Sequence, residues 1–163
     1  MGARRLGAPG PLDCGGAILL SLLREAMVVK AASVHHPYAD LIGLELGESD
    51  DGRSRCFLSV AERHLNPHGV VHGAVLYALA DTGMGAALYP SLSPGQICAT
   101  IEIKMNYYRP VSSGDIQCHT EVVYRGRRVA NMESSIYADD RLVAKANGSY
   151  SIFKLPDTPS EDG

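Results

Sequence analysis

The chain has 163 residues, of which 45% are hydrophobic, and a net charge of −3 at pH 7. This length fits one domain with its own core and leaves little room for a second. The basic residues are dispersed and no segment approaches the ~20 apolar residues of a membrane span, so the sequence excludes a nucleic-acid-binding footprint, a polybasic membrane patch and a transmembrane helix.

The two ends of the chain differ in composition from its middle. Residues 1 to 16 are rich in Gly, Pro, Arg and Ala, which predicts a disordered segment. Residues 17 to 30 predict a short amphipathic helix added to the N-terminal side of the domain, and residues 156 to 163 predict a polar tail. We therefore expect a single domain over residues 17 to 155.

The four cysteines are scattered along the chain without a Cys-x-x-Cys spacing. This distribution is typical of reduced thiols and disfavours metal ligation through them. We expect a cytoplasmic protein that carries no metal at these positions. The cysteines are Cys14, Cys56, Cys98 and Cys118.

A hairpin is predicted near the start of the domain. Residues 35 to 38 indicate a break and a short turn, and residues 41 to 46 alternate enough to form a strand. Residues 47 to 52 are a turn, and residues 53 to 61 are the expected hairpin partner.

The segment Gly73–Leu88 predicts a helix that is apolar on every face and therefore buried on all sides. One carboxylate, Asp81, lies within it among Leu76, Leu79 and Met84. Burying a carboxylate without a partner costs several kcal/mol, roughly. The acid therefore needs either a hydrogen-bond partner or a function.

The start of this helix predicts an anion site. Turn residues precede it, and Gly73 stands where the first helical amides lack partners and carry the positive end of the helix dipole. Such amides can stabilise a carbonyl oxygen that acquires negative charge. Asp81 lies about 12 Å along the axis from Gly73, too far for both to act on one atom. The acid would then come from a second copy of the helix, running antiparallel across a twofold axis.

The last part of the chain predicts strands. Residues 97 to 108 alternate, with Ile103 and Met105 on one face and Thr100 and Lys104 on the other, wetter face. Three more strands follow at hairpin spacing and extend this to a four-strand meander. They cover residues 115 to 124, 129 to 138 and 142 to 153. The whole order predicts an α+β fold in which an antiparallel sheet wraps around one long central helix.

Three separated motifs resemble the hotdog-fold acyl-CoA thioesterases of the PaaI type. The first runs from Asn66 to Ala74 with the sequence Asn-Pro-His-Gly-Val-Val-His-Gly-Ala, and Asp81 follows eight residues after Gly73. The third is Asn-Tyr-Tyr-Arg-Pro at residues 106 to 110. The resemblance covers roughly residues 36 to 154. It implies a hotdog fold, hydrolysis of an acyl-coenzyme A thioester to acid and CoA without metal or cofactor, and a homodimer or homotetramer with active sites at the subunit interface.

The resemblance also implies roles for individual residues. Asn66 would orient the thioester or the attacking water, and the amide of Gly73 would polarise the thioester carbonyl, with His72 supporting the turn. Asp81 would act as general base or nucleophile, and Thr100 would help to place the water.

Further positions concern substrate binding. Ala74 departs from the family, which usually has a second glycine there, and its methyl group would narrow the mouth of the site. Coenzyme A carries phosphates, for which arginines at a strand end and a turn are suitable contacts. The candidates are Arg109, Arg127 and Arg128. The acyl group is not specified by the sequence.

Other interpretations remain open beside the thioesterase. Asp81 could be a purely structural acid satisfied by a hydroxyl such as that of Thr100. His72 and Asp81 could serve an enoyl-CoA hydratase or dehydratase of the same fold, or the protein could bind acyl-CoA without turnover. A metal site of His64, His68 and His72, at four-residue spacing, would need a continuous helix, which the intervening proline and glycine disfavour.

Overall fold

A computed structural model of the protein describes residues 35–50 and 52–154. The predicted disordered segment 1–16, the predicted helix 17–30 and the predicted tail 156–163 lie outside these residues. None of the helices in the described ranges is long and apolar enough to cross a membrane. The helices are α1 (Pro37–Ile42) and α2 (Gly73–Leu88), with 3-10 turns at Glu62–His64 and Tyr89–Ser91. The strands are β1 (Leu44–Asp50), β2 (Arg53–Ser59), β3 (Gln96–Tyr107), β4 (Asp115–Arg125), β5 (Val129–Ala138) and β6 (Arg141–Lys154).

The six strands form one antiparallel sheet in the order β1-β2-β4-β5-β6-β3. Helix α2 crosses this sheet and contacts all six strands. The predicted α+β arrangement, a sheet wrapped around one central helix, is confirmed. The predicted bounds of α2 and of β5 agree with the structure residue for residue.

The predicted four-strand meander is wrong in one pairing. Strands β4, β5 and β6 are consecutive neighbours, but β3 pairs with β6 at the edge of the sheet, and β4 pairs with β2. The chain reaches the far edge through α2 and returns beside β2, where the Val60 amide donates to the Gly114 carbonyl over 3.0 Å. Alternation identifies the faces of a strand but not its neighbours, which depend on distant segments.

The beginning of the described chain also differs from the prediction. Helix α1 occupies residues expected to begin a strand, and β1 starts only at Leu44 and continues through the predicted turn to Asp50. The helix has local causes: the His36 ring accepts a hydrogen bond from the Ala39 amide over 3.1 Å, and Pro37 favours the first helical position. Gly43, with φ of 69°, ends it in the left-handed region.

Small residues bring α2 close to the sheet. The carbonyl of Gly83 accepts a hydrogen bond from Ser54 Oγ over 2.7 Å, and a Cβ at Gly83 would lie only 2.7 Å from Thr120 Oγ1. Only a residue without a side chain fits this approach at Gly83. A Cβ at Gly85 would meet no atom of the described residues within 4 Å, so Gly85 serves no such contact within the chain.

One face of α2 is not covered by the described residues. Ala74 and Tyr77 are exposed, Asp81 is half-buried, and Gly85 adjoins open space. Residues 35–50 and 52–154 therefore do not bury the helix on all sides, whereas the sequence predicted full burial. An apolar sequence indicates that a face avoids water, but it does not identify what covers that face.

Candidate active site

A β-bulge in β3 determines where Thr100 points. The register with β6 shifts between Thr100 and Glu102, so Ile101 is an extra residue in the ladder. Because a bulge reverses the alternation beyond it, Thr100 lies on the same side of the sheet as Ile103, which packs against the core. The predicted division of this strand into two faces is wrong across the bulge: Thr100 remains exposed, as expected of a wetter position, but it shares the side of Ile103 and its hydroxyl reaches α2.

The Asp81 carboxylate is held by two hydroxyl groups. Thr100 Oγ1 donates to Asp81 Oδ1 over 2.7 Å, and the Tyr150 hydroxyl donates to the same oxygen. The Tyr150 hydroxyl also lies 2.8 Å from the backbone oxygen of Asp81. Asp81 is half-buried rather than fully buried, so the expectation of an acid enclosed on all sides is also corrected. The structure thus provides a carboxylate that is fixed on one side and accessible from the uncovered face of α2.

The neighbours of Asp81 keep their protons. Burial, followed by the hydrogen bond to Asp81, raises the pKa of Tyr150 above its usual range. Burial, followed by the nearby charge of Asp81, raises the pKa of the Cys98 thiol. Near neutral pH both groups are therefore neutral beside the carboxylate, and Tyr150 remains a hydrogen-bond donor.

Asn66 organises the loop before α2. Its side-chain oxygen accepts hydrogen bonds from the backbone amides of His68 over 2.9 Å and Val70 over 3.4 Å. The backbone amide of Asn66 donates to the Val70 carbonyl over 2.8 Å. The loop bends at Gly69, whose φ of 73° is readily adopted by glycine. The side-chain oxygen of Asn66 is thus occupied within the loop, and its side-chain nitrogen is the part that can contact a ligand.

His72 and Gly73 form the first turn of α2. His72 Nδ1 accepts a hydrogen bond from the Ala74 amide over 3.0 Å, which leaves the ring proton on Nε2. The Gly73 amide donates to no acceptor within residues 35–50 and 52–154. The Tyr107 hydroxyl donates to the Gly73 carbonyl over 3.1 Å, and a Cβ at Gly73 would meet the Tyr107 ring at 3.1 Å. Gly73 therefore presents an unpaired amide, and its lack of a side chain leaves room for the Tyr107 ring.

An open cleft of about 410 Å³ adjoins this amide. Burial, followed by the proximity of Tyr77, raises the pKa of Tyr107 in its wall. Arg109 Nη1 donates to the Leu142 carbonyl over 2.6 Å, and the rest of its guanidinium is exposed. The cleft is thus largely apolar and aromatic, with one cation at its rim. Its lining consists of Val70, Val71, Gly73, Leu76, Tyr107, Tyr108, Arg109, Pro110 and Val111.

The three candidate arginines do not lie together within one chain. Arg109 lines the cleft, just beyond Tyr107, which pairs with Ala144 near the start of β6. Arg127 and Arg128 lie in the turn before β5, whose first residue pairs with Ser151 near the end of β6. The turn and the cleft are therefore at opposite ends of β6.

Gly73 and Asp81 are likewise separate within one chain. They occupy the same continuous helix eight positions apart, which is about 12 Å along its axis. The Gly73 amide lies at the start of α2, and the carboxylate lies midway along its uncovered face. Within one chain, the Gly73 amide and the Asp81 carboxylate are therefore too far apart to act on the same atom.

His64 has a structural role that excludes the three-histidine metal site. It is 2% exposed, its Nδ1 accepts from the Ala61 amide over 2.9 Å, and its Nε2 donates to the Ile42 carbonyl over 2.7 Å. With both ring nitrogens engaged, His64 has no lone pair for a metal. Within the described ranges, no group of three His, Cys, Asp or Glu side chains is placed to hold one.

Tyr150 is a residue of the site that the sequence analysis missed. It is 3% exposed and faces α2 with Ala144, Ala146 and Ile152. The alternation of β6 contains this signal, because it places one large hydroxyl-bearing side chain on an otherwise apolar inner face. A buried tyrosine hydroxyl needs a partner, and Asp81 is that partner.

Comparisons with known proteins agree with this geometry. The model of the thioesterase superfamily matches residues 68–145. A Pseudomonas aeruginosa protein named "Putative esterase PA0474" is 34% identical over 122 residues, which are 74% of this chain and 89% of that protein. The 1,4-dihydroxy-2-naphthoyl-CoA hydrolase of Listeria monocytogenes is 26% identical over 97 residues, 60% of this chain and 79% of that one. The chain is also similar to a solved structure, a variant of the phenylacetic acid degradation protein PaaI from Thermus thermophilus. The two are 26% identical with a TM-score of 0.67, and the match covers 74% of this chain and 100% of the PaaI chain. The hotdog fold that the motifs implied is confirmed.

Proposed function

The chain belongs to the thioesterase superfamily, and on this basis we propose that it hydrolyses an acyl-coenzyme A thioester to the free acid and coenzyme A. The observation that carries the proposal is the Asp81 carboxylate, which two hydroxyls hold on the uncovered face of α2. The naphthoyl-CoA hydrolase activity named for the Listeria relative supports a coenzyme A thioester as the substrate class.

The start of α2 would stabilise the charge that develops on the thioester. The Gly73 amide is unpaired among the described residues, faces the cleft and lies at the positive end of the helix dipole. A thioester oxygen placed against it becomes an oxyanion when the carbonyl carbon is attacked. One such donor contributes roughly 3 to 4 kcal/mol to the stability of the transition state.

Asp81 of the partner subunit would activate the water. As the water oxygen bonds to the carbonyl carbon, the carboxylate takes up its proton, and the carbon–sulfur bond then breaks. The leaving thiolate receives the proton, which restores the carboxylate. Direct attack by Asp81 would instead form a mixed anhydride with loss of the coenzyme A thiolate. If water then attacks the Asp81 carboxyl carbon of this anhydride, a single turnover in ¹⁸O-labelled water labels Asp81, whereas the general-base route labels only the released acid.

The assembly we propose is a homodimer or a dimer of dimers with active sites at the subunit interface. The uncovered face of α2 supports it, because Tyr77 is 37% exposed there and Asp81 and Gly85 lie along the same face. An antiparallel second copy would bring Asp81 of the partner subunit near Gly73. The apolar face and the incomplete site are then satisfied by one contact.

The remaining residues take supporting roles in this proposal. The side-chain nitrogen of Asn66 would orient the thioester or the water, since its oxygen is engaged in the loop. His72 would support the turn through its bond to the Ala74 amide. Arg109 would bind a phosphate of coenzyme A at the rim of the cleft, whereas Arg127 and Arg128 would reach the same substrate only from the partner. No cofactor is required, because water is the second reactant.

The proposed location is the cytoplasm. The described cysteines, Cys56, Cys98 and Cys118, are free thiols, which supports a reducing compartment.

The hydratase alternative is less consistent with the helix start. A hydratase base at His72 must accept a proton on its free ring nitrogen, but the bond from the Ala74 amide to Nδ1 places the proton on Nε2. The hydrolase requires no such proton acceptor at His72.

A thiol-release assay tests the proposal and identifies the acyl group. The purified protein is incubated with short, medium, long and aryl acyl-coenzyme A substrates, and free thiol is measured. We expect turnover of at least one class. Hydration of a 2-enoyl-coenzyme A without thiol release would support the hydratase, and binding without any turnover would support a binding module.

A further inference from the structure

Tyr150 and Thr100 form a pair of donors on adjacent strands. Their backbones lie directly opposite each other in the β3–β6 ladder, and both side chains face α2. Thr100 faces the helix because of the bulge at Ile101, and Tyr150 faces it by the regular alternation of β6. Two residues that are far apart in sequence therefore reach the same atom.

That atom is Oδ1 of Asp81. A carboxylate oxygen has two lone pairs, and the hydroxyls of Thr100 and Tyr150 occupy both. Oδ2 accepts no hydrogen bond from any residue of the described ranges. The two oxygens of one carboxylate are thus inequivalent, with one bound to the sheet and the other free.

We infer that Tyr150 is a positioning residue for the proposed hydrolysis: together with Thr100 it fixes Oδ1 of Asp81, so that Oδ2 is the oxygen presented to water. The inference rests on the proposed function for the identity of the reacting carboxylate. Tyr150 thus acts on the reaction through Asp81 and makes no contact with the substrate.

The protonation of Tyr150 suits this task. A hydroxyl donates one proton at a time, so Tyr150 must keep that proton for the bond to exist. Burial and the bond to Asp81 raise the pKa of Tyr150, and the hydroxyl stays protonated over the pH range in which an ionised carboxylate is useful.

The test is the variant Tyr150→Phe, which keeps the buried ring and removes only the hydroxyl. We expect kcat for acyl-coenzyme A hydrolysis to fall about 10- to 100-fold, as for the loss of a hydrogen bond to a charged group, with KM changed less than about threefold. Tyr124→Phe, which removes a hydroxyl from an exposed tyrosine, should leave both quantities unchanged.

Thr100 supplies a second, independent arm. Thr100→Val removes the other donor to Oδ1 and should lower kcat with little change in KM, whereas Thr100→Ser keeps a donor and should restore kcat. These variants test the pair even if Tyr150→Phe does not fold. A folded Tyr150→Phe with wild-type kcat would overturn the inference, and so would a Thr100→Ser variant as slow as Thr100→Val.

A measurement without substrate separates this inference from the proposed function. The ¹³C resonance of the Asp81 carboxyl carbon, assigned with Asp81→Asn, is compared at pH 7 in the wild type, in Tyr150→Phe and in the control Tyr124→Phe. Removal of the hydrogen bond to Oδ1 should shift this resonance whatever the protein hydrolyses, and the control should leave it unchanged. If no acyl-coenzyme A is turned over but the resonance shifts in Tyr150→Phe alone, the proposed function fails and the inference about Asp81 stands. An unshifted resonance in an active enzyme means the reverse.

Discussion

At the residue scale, Asp81 illustrates how a helix of apolar residues accommodates a charge. The carboxylate avoids the cost of isolation because the sheet supplies two hydroxyl donors while the opposite side stays open. Full burial would have left no access for water, and full exposure would have left the oxygens free to rotate. The half-buried position satisfies both requirements.

The first prediction concerns Asp81→Asn. The amide is nearly isosteric and can still accept from Thr100 and Tyr150, but it cannot take a proton from water. We expect kcat for the best acyl-coenzyme A substrate to fall by at least about 10²-fold, with the oligomeric state unchanged in size-exclusion chromatography. Glu133→Gln removes an exposed carboxylate from β5 and should retain full activity. Near-wild-type turnover of Asp81→Asn would remove this residue from the mechanism.

A second prediction concerns the buried thiols. Burial, followed by the neighbouring Cys118, raises the pKa of Cys56 to about 12, and burial raises the pKa of Cys118 to about 11. Since only the thiolate reacts with iodoacetamide, both should be alkylated at pH 8 at least about 10²-fold more slowly than in the unfolded protein. Peptide mapping by mass spectrometry measures this, with the urea-denatured chain as the control. Rapid labelling of Cys56 in the native protein would contradict the packing beneath α2.

At the scale of the secondary-structure element, α2 approaches the sheet closely at Gly83. Its carbonyl is fixed by Ser54, and Thr120, itself bonded to Ser134 over 2.6 Å, occupies the space where a side chain would begin. This polar contact fixes the position of the helix along the sheet. The register of Asp81 against Thr100 depends on that position.

The third prediction is that Gly83→Ala destabilises the fold. The methyl group would lie 2.7 Å from Thr120 Oγ1, inside contact distance, so either the helix or the side chain must move. We expect a loss of about 1 to 3 kcal/mol in the free energy of unfolding, measured in urea, despite the higher helix propensity of alanine.

A double-mutant cycle isolates the cause of this loss. In a Thr120→Ala background the obstructing oxygen is absent, so the penalty of Gly83→Ala should shrink. An equal penalty in both backgrounds would show that the methyl group strikes something else.

The elements differ in how far the sequence specifies them. Helix α2 and strand β5 were predicted to the residue, because the His-Gly start, the closing proline and the clean alternation are local signals. The short helix α1 was missed although its signals, His36-Pro37 before it and Gly43 after it, are present in the sequence. The edge position of β3 and its bulge have no local signal, since both depend on pairing with β6.

The same division applies to the site. The unpaired amide of Gly73 follows from the helix start and was predictable. The contact of Thr100 with Asp81 was raised only as an alternative, because regular alternation places Thr100 on the face away from α2 and the contact depends on one extra residue in a long strand. To predict the role of Tyr150, one would need the register between β3 and β6 as well as the alternation within β6.

At the scale of the whole molecule, each chain carries the two halves of the proposed site on one rigid helix. A single helix cannot bring Gly73 and Asp81 together, so activity should require two chains. The uncovered face of α2 provides a surface where this can occur.

The fourth prediction tests shared sites by mixing inactive subunits. Asp81→Ala removes the acid, and Gly73→Pro removes the amide at a helix position that tolerates proline. Each variant alone should be inactive. After unfolding and refolding together, half of the dimers would be hybrids with one intact site, and about one quarter of the wild-type sites should be recovered. Refolding each variant separately is the control, and an absence of recovery in a mixture with proven hybrids would argue against sites shared between subunits.

The extra residue in β3 has a consequence for how such chains are compared. A relative whose third strand has the same length but pairs with β6 without a bulge would retain every reactive group of the site. Its threonine would then oppose the next position of β6 and turn outward, which would leave the acid with a single tether. An inventory of side chains would score that relative as intact. Whether it still works is decided by how one isoleucine is accommodated in the ladder.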